Sequence, residues 1–90
     1  MAGKVVAITG AFGALGRVVA AEAAKRGWRV ALVDYAPVPA DVRSAIGGDH
    51  LYLSGVDLTS PEGAAAAVNE VNAKLGRIDA RVKLKVLGVF

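Results

Sequence analysis

The chain has 90 residues, of which 54% are hydrophobic, and a formal net charge of +3. That length holds one small domain and excludes a two-domain enzyme; the apolar content excludes disorder driven by charge, although 18 of the hydrophobic residues are Ala, which bury little area. With no Cys, disulfides and thiolate metal sites are excluded, and the longest charge-free run, Val5 to Gly16, falls well short of the roughly 20 apolar residues a membrane helix needs.

The charge is unevenly placed. Residues 1–79 carry eight basic and eight acidic groups, so the whole excess comes from Arg81, Lys83 and Lys85. The sequence therefore shows a composition shift at its C-terminus rather than a basic nucleic-acid-binding surface. Thr9, Gly10, Gly13 and Gly16 interrupt the only run that faintly resembles a signal peptide, and no small-residue cleavage site follows. The expectation is a cytoplasmic protein.

Lys4 to Thr9 is predicted as a strand, because Val5, Val6, Ala7 and Ile8 are apolar without alternation, as in a parallel strand buried on both faces. Ala14 to Arg26 follows as a helix that puts Leu15, Val18, Val19 and Ala23 on one face and stops at Gly27. Trp28 to Val33 is a second strand, ending at Asp34, before Pro37 and Pro39 break regular structure. A short helix over Asp41 to Ile46, closed by Gly47 and Gly48, and a third strand over Leu51 to Val56 come next. Ser60, Pro61 and Glu62 supply a cap hydroxyl, a first-turn proline and a first-turn carboxylate for another helix. Its apolar face is Ala64, Ala67, Val68, Val71 and Leu75, and Gly76 ends it. Arg81 to Phe90 is a fourth strand that alternates, with Ala80, Val82, Leu84 and Val86 on one side and Arg81, Lys83 and Lys85 on the other. Three cations cannot be buried unpaired, so the tail is either foreign to the fold, from a frameshift or a truncated reading frame, or a true edge strand with one face covered and the other wet.

Strand–helix alternation implies right-handed crossovers and a parallel sheet. The fold expected is α/β, a Rossmann-like partial doubly wound sheet of about four strands in the order 3-2-1-4. Residues 1–79 form its dinucleotide-binding half, and residues 80–90 an atypical basic strand or tail.

The chemistry lies in Thr9-Gly10-Ala11-Phe12-Gly13-Ala14-Leu15-Gly16, where the first strand turns into the first helix, with an acid, Asp34, 24 residues beyond Gly10. Gly10 allows the tight turn, Gly13 lets a pyrophosphate approach the backbone, and Gly16 lets the helix pack against the sheet. The free N–H groups of the helix start then bind the phosphates. An acid at Asp34 accepts hydrogen bonds from the adenosine ribose and repels a 2′-phosphate. Tyr35 follows it, and no Arg or Lys occurs before Arg43, which favours NAD over NADP. His50 stands alone in ligand spacing and is expected at a loop or strand end, and Trp28 is expected to cover a helix end.

At these residues the chain resembles the short-chain dehydrogenase/reductase family over roughly residues 3–80. Thr9 and the three glycines are similar to the family's cofactor motif, and Asp34 to its NAD-selecting acid. The resemblance implies that Asp57 and Leu58 contact adenine, through the Asp side chain and the Leu backbone N–H. Leu75-Gly76-Arg77-Ile78-Asp79 resembles the segment leading into the fourth strand. The usual family spacing would place a glycine at Ala14; here it stands one place earlier, at Gly13, as in divergent members such as dihydropteridine reductase-like proteins. The family's Asn-Ala-Gly segment after the fourth strand is absent, and so is its catalytic Tyr-x-x-x-Lys, since Tyr35 is followed four places on by Pro39 and Tyr52 by Val56. No catalytic residue is therefore assigned. The resemblance implies an NAD-binding N-terminal fragment of an oxidoreductase that, in complete relatives, passes hydride between nicotinamide and a carbonyl or alcohol. The alternatives are a non-catalytic dinucleotide-binding or interaction module, or a non-functional truncated fragment. The partners expected are a dinucleotide and, through an uncovered sheet face or edge, a second copy of the chain; nucleic acid, membrane and metal are not expected.

Overall fold

The computed structural model describes residues 4–47 and 49–83. Its elements are β1 (Val5–Thr9), α1 (Ala14–Lys25), β2 (Arg29–Val33), α2 (Val42–Ile46), β3 (Leu51–Leu53), α3 (Pro61–Leu75) and β4 (Ala80–Lys83). All strand pairs are parallel and the order is β3-β2-β1-β4, as the alternation predicts.

β1 is buried along its whole length, and its pleat explains why it carries no polar residue until Thr9. Val6 and Ile8 point to a cluster that includes Phe12, Ala20, Leu32 and Val42 beneath α1 and α2. Val5 and Ala7 point the other way, to Ala31 and Val71 beneath α3. Such a strand is stable only with a layer on each side.

β4 is held beside β1 by a reciprocal pair at its entry. Val5 N–H donates to Asp79 Oδ2 at 2.7 Å, and Asp79 N–H donates to the Val5 carbonyl at 2.8 Å. Arg77 pairs with the other carboxylate oxygen at 2.6 Å, and the bond from Val5 holds the Asp79 carboxyl below its ordinary pKa, with Arg77 adding to it. In β4, Ala80 and Val82 pack on the α1 side while Arg81 is exposed, so the strand is half-wet as its alternation indicates. The part of that predicted strand beyond Lys83, like Gly48, lies outside the described residues.

The predicted face of α1 needs correction. Gly16 and Ala20 are the buried positions, with Val19, Ala23 and Ala24 packed beside them; Leu15 and Val18 are 62% and 65% exposed. The reason is closeness. A Cβ on Gly16 would lie 2.5 Å from the Ala11 carbonyl oxygen, so the helix approaches along its seam of small residues and turns its larger ones outward. Val18 then lines an open, largely apolar groove of about 520 Å³ with Val6, Val19, Ala23, Trp28 and Ala80. β3 is also shorter than predicted, because Gly55 takes φ 67° and turns the chain two residues past Leu53.

His50 closes the β2–β3 edge. Its Nδ1 accepts a hydrogen bond from Val30 N–H at 3.0 Å, a bond that only the neutral ring can accept. Burial lowers its pKa from the ordinary 6.5, against the opposing effects of the Gly47 backbone and Asp49, while Arg29 lowers it further. Below that value the unfolded chain binds more protons than the folded one, so stability falls as the pH drops under about 6.5 and levels off below the folded pKa. Denaturant midpoints should decline between about pH 7 and pH 5 in the native chain, and this decline should shrink in His50→Leu. An equal decline in both would place the titration elsewhere.

Candidate dinucleotide-binding site

The glycine-rich turn lies at the C-terminal end of β1, the point from which the chain order runs to β2 on one side and β4 on the other. Open α/β sheets bind ligands at such switch points. Gly10 holds φ 70°, which a residue with a side chain rarely adopts, and this turns the chain out of β1. Thr9 is buried, and its hydroxyl faces the Val82 carbonyl of β4 at 3.5 Å.

The two long helices start differently. In α3, Ser60 Oγ accepts from Gly63 N–H at 2.9 Å, Pro61 follows, and Glu62 stands in the first turn. The N-terminus of α3 is thus satisfied by its own chain. In α1 the cap is Gly13, with no side-chain cap bond and no acid in the first turn. The helical ladder begins at Arg17 N–H, which donates to the Gly13 carbonyl at 3.1 Å, so the N–H groups of Ala14, Leu15 and Gly16 lie ahead of it. Gly13, Ala14 and Leu15 are exposed. A Cβ on Gly13 would meet only the Gly10 carbonyl oxygen, at 3.7 Å. The protein leaves open space in front of a partial positive charge, and this suits a phosphate group.

Asp34, at the end of β2, is 3% exposed. Its Oδ2 accepts from Phe12 N–H at 3.0 Å and its Oδ1 from Ala36 N–H at 3.2 Å. The acid and the turn predicted from sequence are therefore in direct contact. Tyr35, beside it, is 70% exposed. Arg17 pairs with Asp41 at 2.9 Å, and Arg43 lies over the Tyr52 ring at 4.3 Å.

Asp57 and Leu58 reach the same end of the sheet, since Val56 N–H donates to the Asp34 carbonyl at 3.2 Å. The Asp57 carboxylate is exposed, and its Oδ1 accepts from both the backbone N–H and the hydroxyl of Thr59. Those bonds, led by the hydroxyl, lower its pKa and keep it ionised. Gly63 is a structural residue that sequence reasoning missed. A Cβ there would fall on the Asp57 carbonyl oxygen, so its small size brings α3 against the loop that carries Asp57. Among the described residues no group of His, Asp or Glu is placed to hold a metal ion, and no helix is long and apolar enough to cross a membrane.

Residues 4–83 match the family model described as short chain dehydrogenase. No curated protein matches the chain. Among solved structures, levodione reductase is similar at 28% identity and a TM-score of 0.78, over 90% of this chain and 33% of its own. NAD+-bound xylitol dehydrogenase is similar at 31% identity and a TM-score of 0.72, over 89% of this chain and 32% of its own. The 3-ketoacyl-(acyl-carrier-protein) reductase of Brucella melitensis, complexed with NADH, is similar at 33% identity and a TM-score of 0.79, over 89% of this chain and 33% of its own. The chain thus spans about a third of the length of the structures it matches.

Two glycines of the turn should respond differently to the same change. Gly16→Ala drives a Cβ into the Ala11 backbone and should cost about 1–3 kcal/mol. Gly13→Ala meets only an ordinary contact and, as a change at the N-cap, should cost less than about 1 kcal/mol. Denaturant unfolding of the two variants checks this, and equal losses would contradict the packing described.

Proposed function

The chain belongs to the short-chain dehydrogenase family, and on that premise we propose that residues 4–83 bind the adenosine and pyrophosphate part of NAD. The observation that carries the proposal is the contrast between the helix starts: α3 is closed by Ser60 and Glu62, while α1 is left uncapped behind the Gly10 turn, beside Asp34. The N–H groups of Ala14, Leu15 and Gly16 would hold the pyrophosphate, and Asp34 would accept from the ribose hydroxyls. Thr9, Gly10 and Phe12 shape the turn, Tyr35 flanks the ribose, and Asp57 with the Leu58 N–H would meet adenine. Two of the similar structures hold NAD+ or NADH, which supports a nicotinamide dinucleotide here.

NAD is favoured over NADP by charge. A 2′-phosphate would be brought toward the Asp34 carboxylate, while Arg17 pairs with Asp41 and Arg43 lies over the Tyr52 ring. Like charges at close range in a partly desolvated site disfavour such a ligand.

A nicotinamide dinucleotide, when bound, supplies hydride transfer. The residues described here bind and orient the cofactor, and neither tyrosine has a lysine four places on. We therefore read the chain as the cofactor-binding part of an oxidoreductase, with residues 1–79 as the dinucleotide-binding half. The substrate-reading and acid–base functions belong to parts of the family fold that these residues do not include.

Calorimetric titration tests the proposal. NAD should bind the native chain more tightly than NADP. Gly13→Ala, whose added Cβ meets only an ordinary contact, should lose roughly tenfold or more in NAD affinity, equivalent to at least one displaced phosphate contact. Asp34→Ala should weaken NAD and narrow the NAD-to-NADP ratio. If Gly13→Ala and Asp34→Ala both bind NAD and NADP as the native chain does, the site is misassigned.

A further inference from the structure

The two edges of the sheet carry opposite charge. Among the described residues β3 pairs with β2 alone and β4 with β1 alone. Asp34 N–H donates to the Leu53 carbonyl. Peptide groups alternate in direction along a strand, so those of Tyr52 point away from β2. An edge of this kind is a template for another strand.

On the α3 face, a groove of about 610 Å³ runs beside β3. Asp57 and Glu70 line it together with Leu53, Gly63 and Ala66, and no basic residue does. Glu70 also pairs with Lys74, one turn on, at 3.5 Å. At β4 the sign reverses. Ala80 and Val82 pack on the α1 side, so Arg81, which is exposed, belongs to the α3 face. On the α1 face both edges are apolar. β4 borders the groove of Val6, Val18, Val19 and Trp28, and the β3 edge presents Tyr52 and Ile46, both partly buried.

We propose that the two edges fit each other, so that β4 of one copy adds in parallel to β3 of a second copy. Arg81 then faces the second copy's Glu70 and Asp57 on one side of the joined sheet. On the other side the second copy's Tyr52 and Ile46 cover the groove beside Val18 and Trp28. Charge selects this pairing over its rivals: β4 on β4 sets Arg81 beside Arg81, and β3 on β3 sets Glu70 and Asp57 beside their own kind. The exposed ion pair adds little affinity, and burial of the groove supplies the rest. The contact is head-to-tail, so assembly continues past a dimer unless it closes into a ring. None of this depends on the dinucleotide reading.

Sedimentation velocity of the 90-residue chain, from micromolar to millimolar concentration, tests the proposal. The mass should rise above 9.2 kDa as concentration increases. Val18→Lys, at an exposed position of α1, should weaken association roughly tenfold or more. Arg81→Glu and Glu70→Arg should each weaken it roughly fivefold. An equimolar mixture of those two variants should associate as the native chain does, because opposite charges meet again at both edges. Circular dichroism checks that each variant is folded, and Arg81→Gln and Glu70→Gln replace any that is not. A native chain that stays at 9.2 kDa at millimolar concentration would overturn the proposal. Association that is lost in Val18→Lys yet indifferent to both charge changes would also overturn it, as would a mixture no better than its components.

Discussion

A carboxylate that is 3% exposed must find hydrogen-bond donors or forfeit several kcal/mol of lost hydration. Asp34 finds them in the backbone of Phe12 and Ala36, and much of the arrangement follows from that need. The bond to Phe12 pulls the turn after β1 toward the end of β2. The turn carries Ala11 to where Gly16 must pass it, and the absence of a Cβ at Gly16 lets α1 settle against the sheet. Once α1 is seated, its first N–H groups stand at the C-terminal end of β1, with no side-chain cap among the described residues. The same buried acid thus shapes the turn and completes the site.

Around that junction the architecture is a three-layer unit centred on β1. Its alternating side chains supply both cores, Val6 and Ile8 on one side and Val5 and Ala7 on the other. The two halves of the sheet are secured by different devices. Asp79 exchanges two bonds with Val5 to set the register of β4, whereas His50 caps the Val30 N–H where β3 begins. Both devices use a titratable side chain to finish a backbone ladder, and in both the pKa lies below its ordinary value. The proposed cofactor end lies between them, where Asp34 likewise accepts from backbone N–H groups.

The order of elements, the parallel sheet and the glycine-rich turn between β1 and α1 were legible in the sequence because each rests on local chemistry. Unbroken β-branched runs, Gly27 and Gly76 as helix stops, and Ser60-Pro61-Glu62 as a helix start act within a few residues of themselves. What was not legible depended on distances between elements. The face of α1 was misjudged because periodicity weights Leu15 and Val18 as apolar, while packing selected Gly16 and Ala20 for their small size. Gly63 reads as a weak helix residue until the Asp57 carbonyl is found where its side chain would be. The sequence marked Asp34 as an acid for a ribose; its bond to Phe12 is a contact between residues 22 apart, visible only once the turn is folded.

The central claim is that a short-chain dehydrogenase turn, helix start and acid form a working dinucleotide site on a sheet of four strands. The most direct measurement is an amide-resolved NMR spectrum of the isotope-labelled chain, recorded with and without NAD. The account predicts dispersed peaks and NAD-dependent shifts concentrated at Gly10 to Gly16 and at Asp34 to Ala36, with the far ends of the strands unchanged. A dispersed spectrum whose turn and Asp34 peaks ignore NAD would contradict the site, and a collapsed spectrum would contradict the fold that builds it.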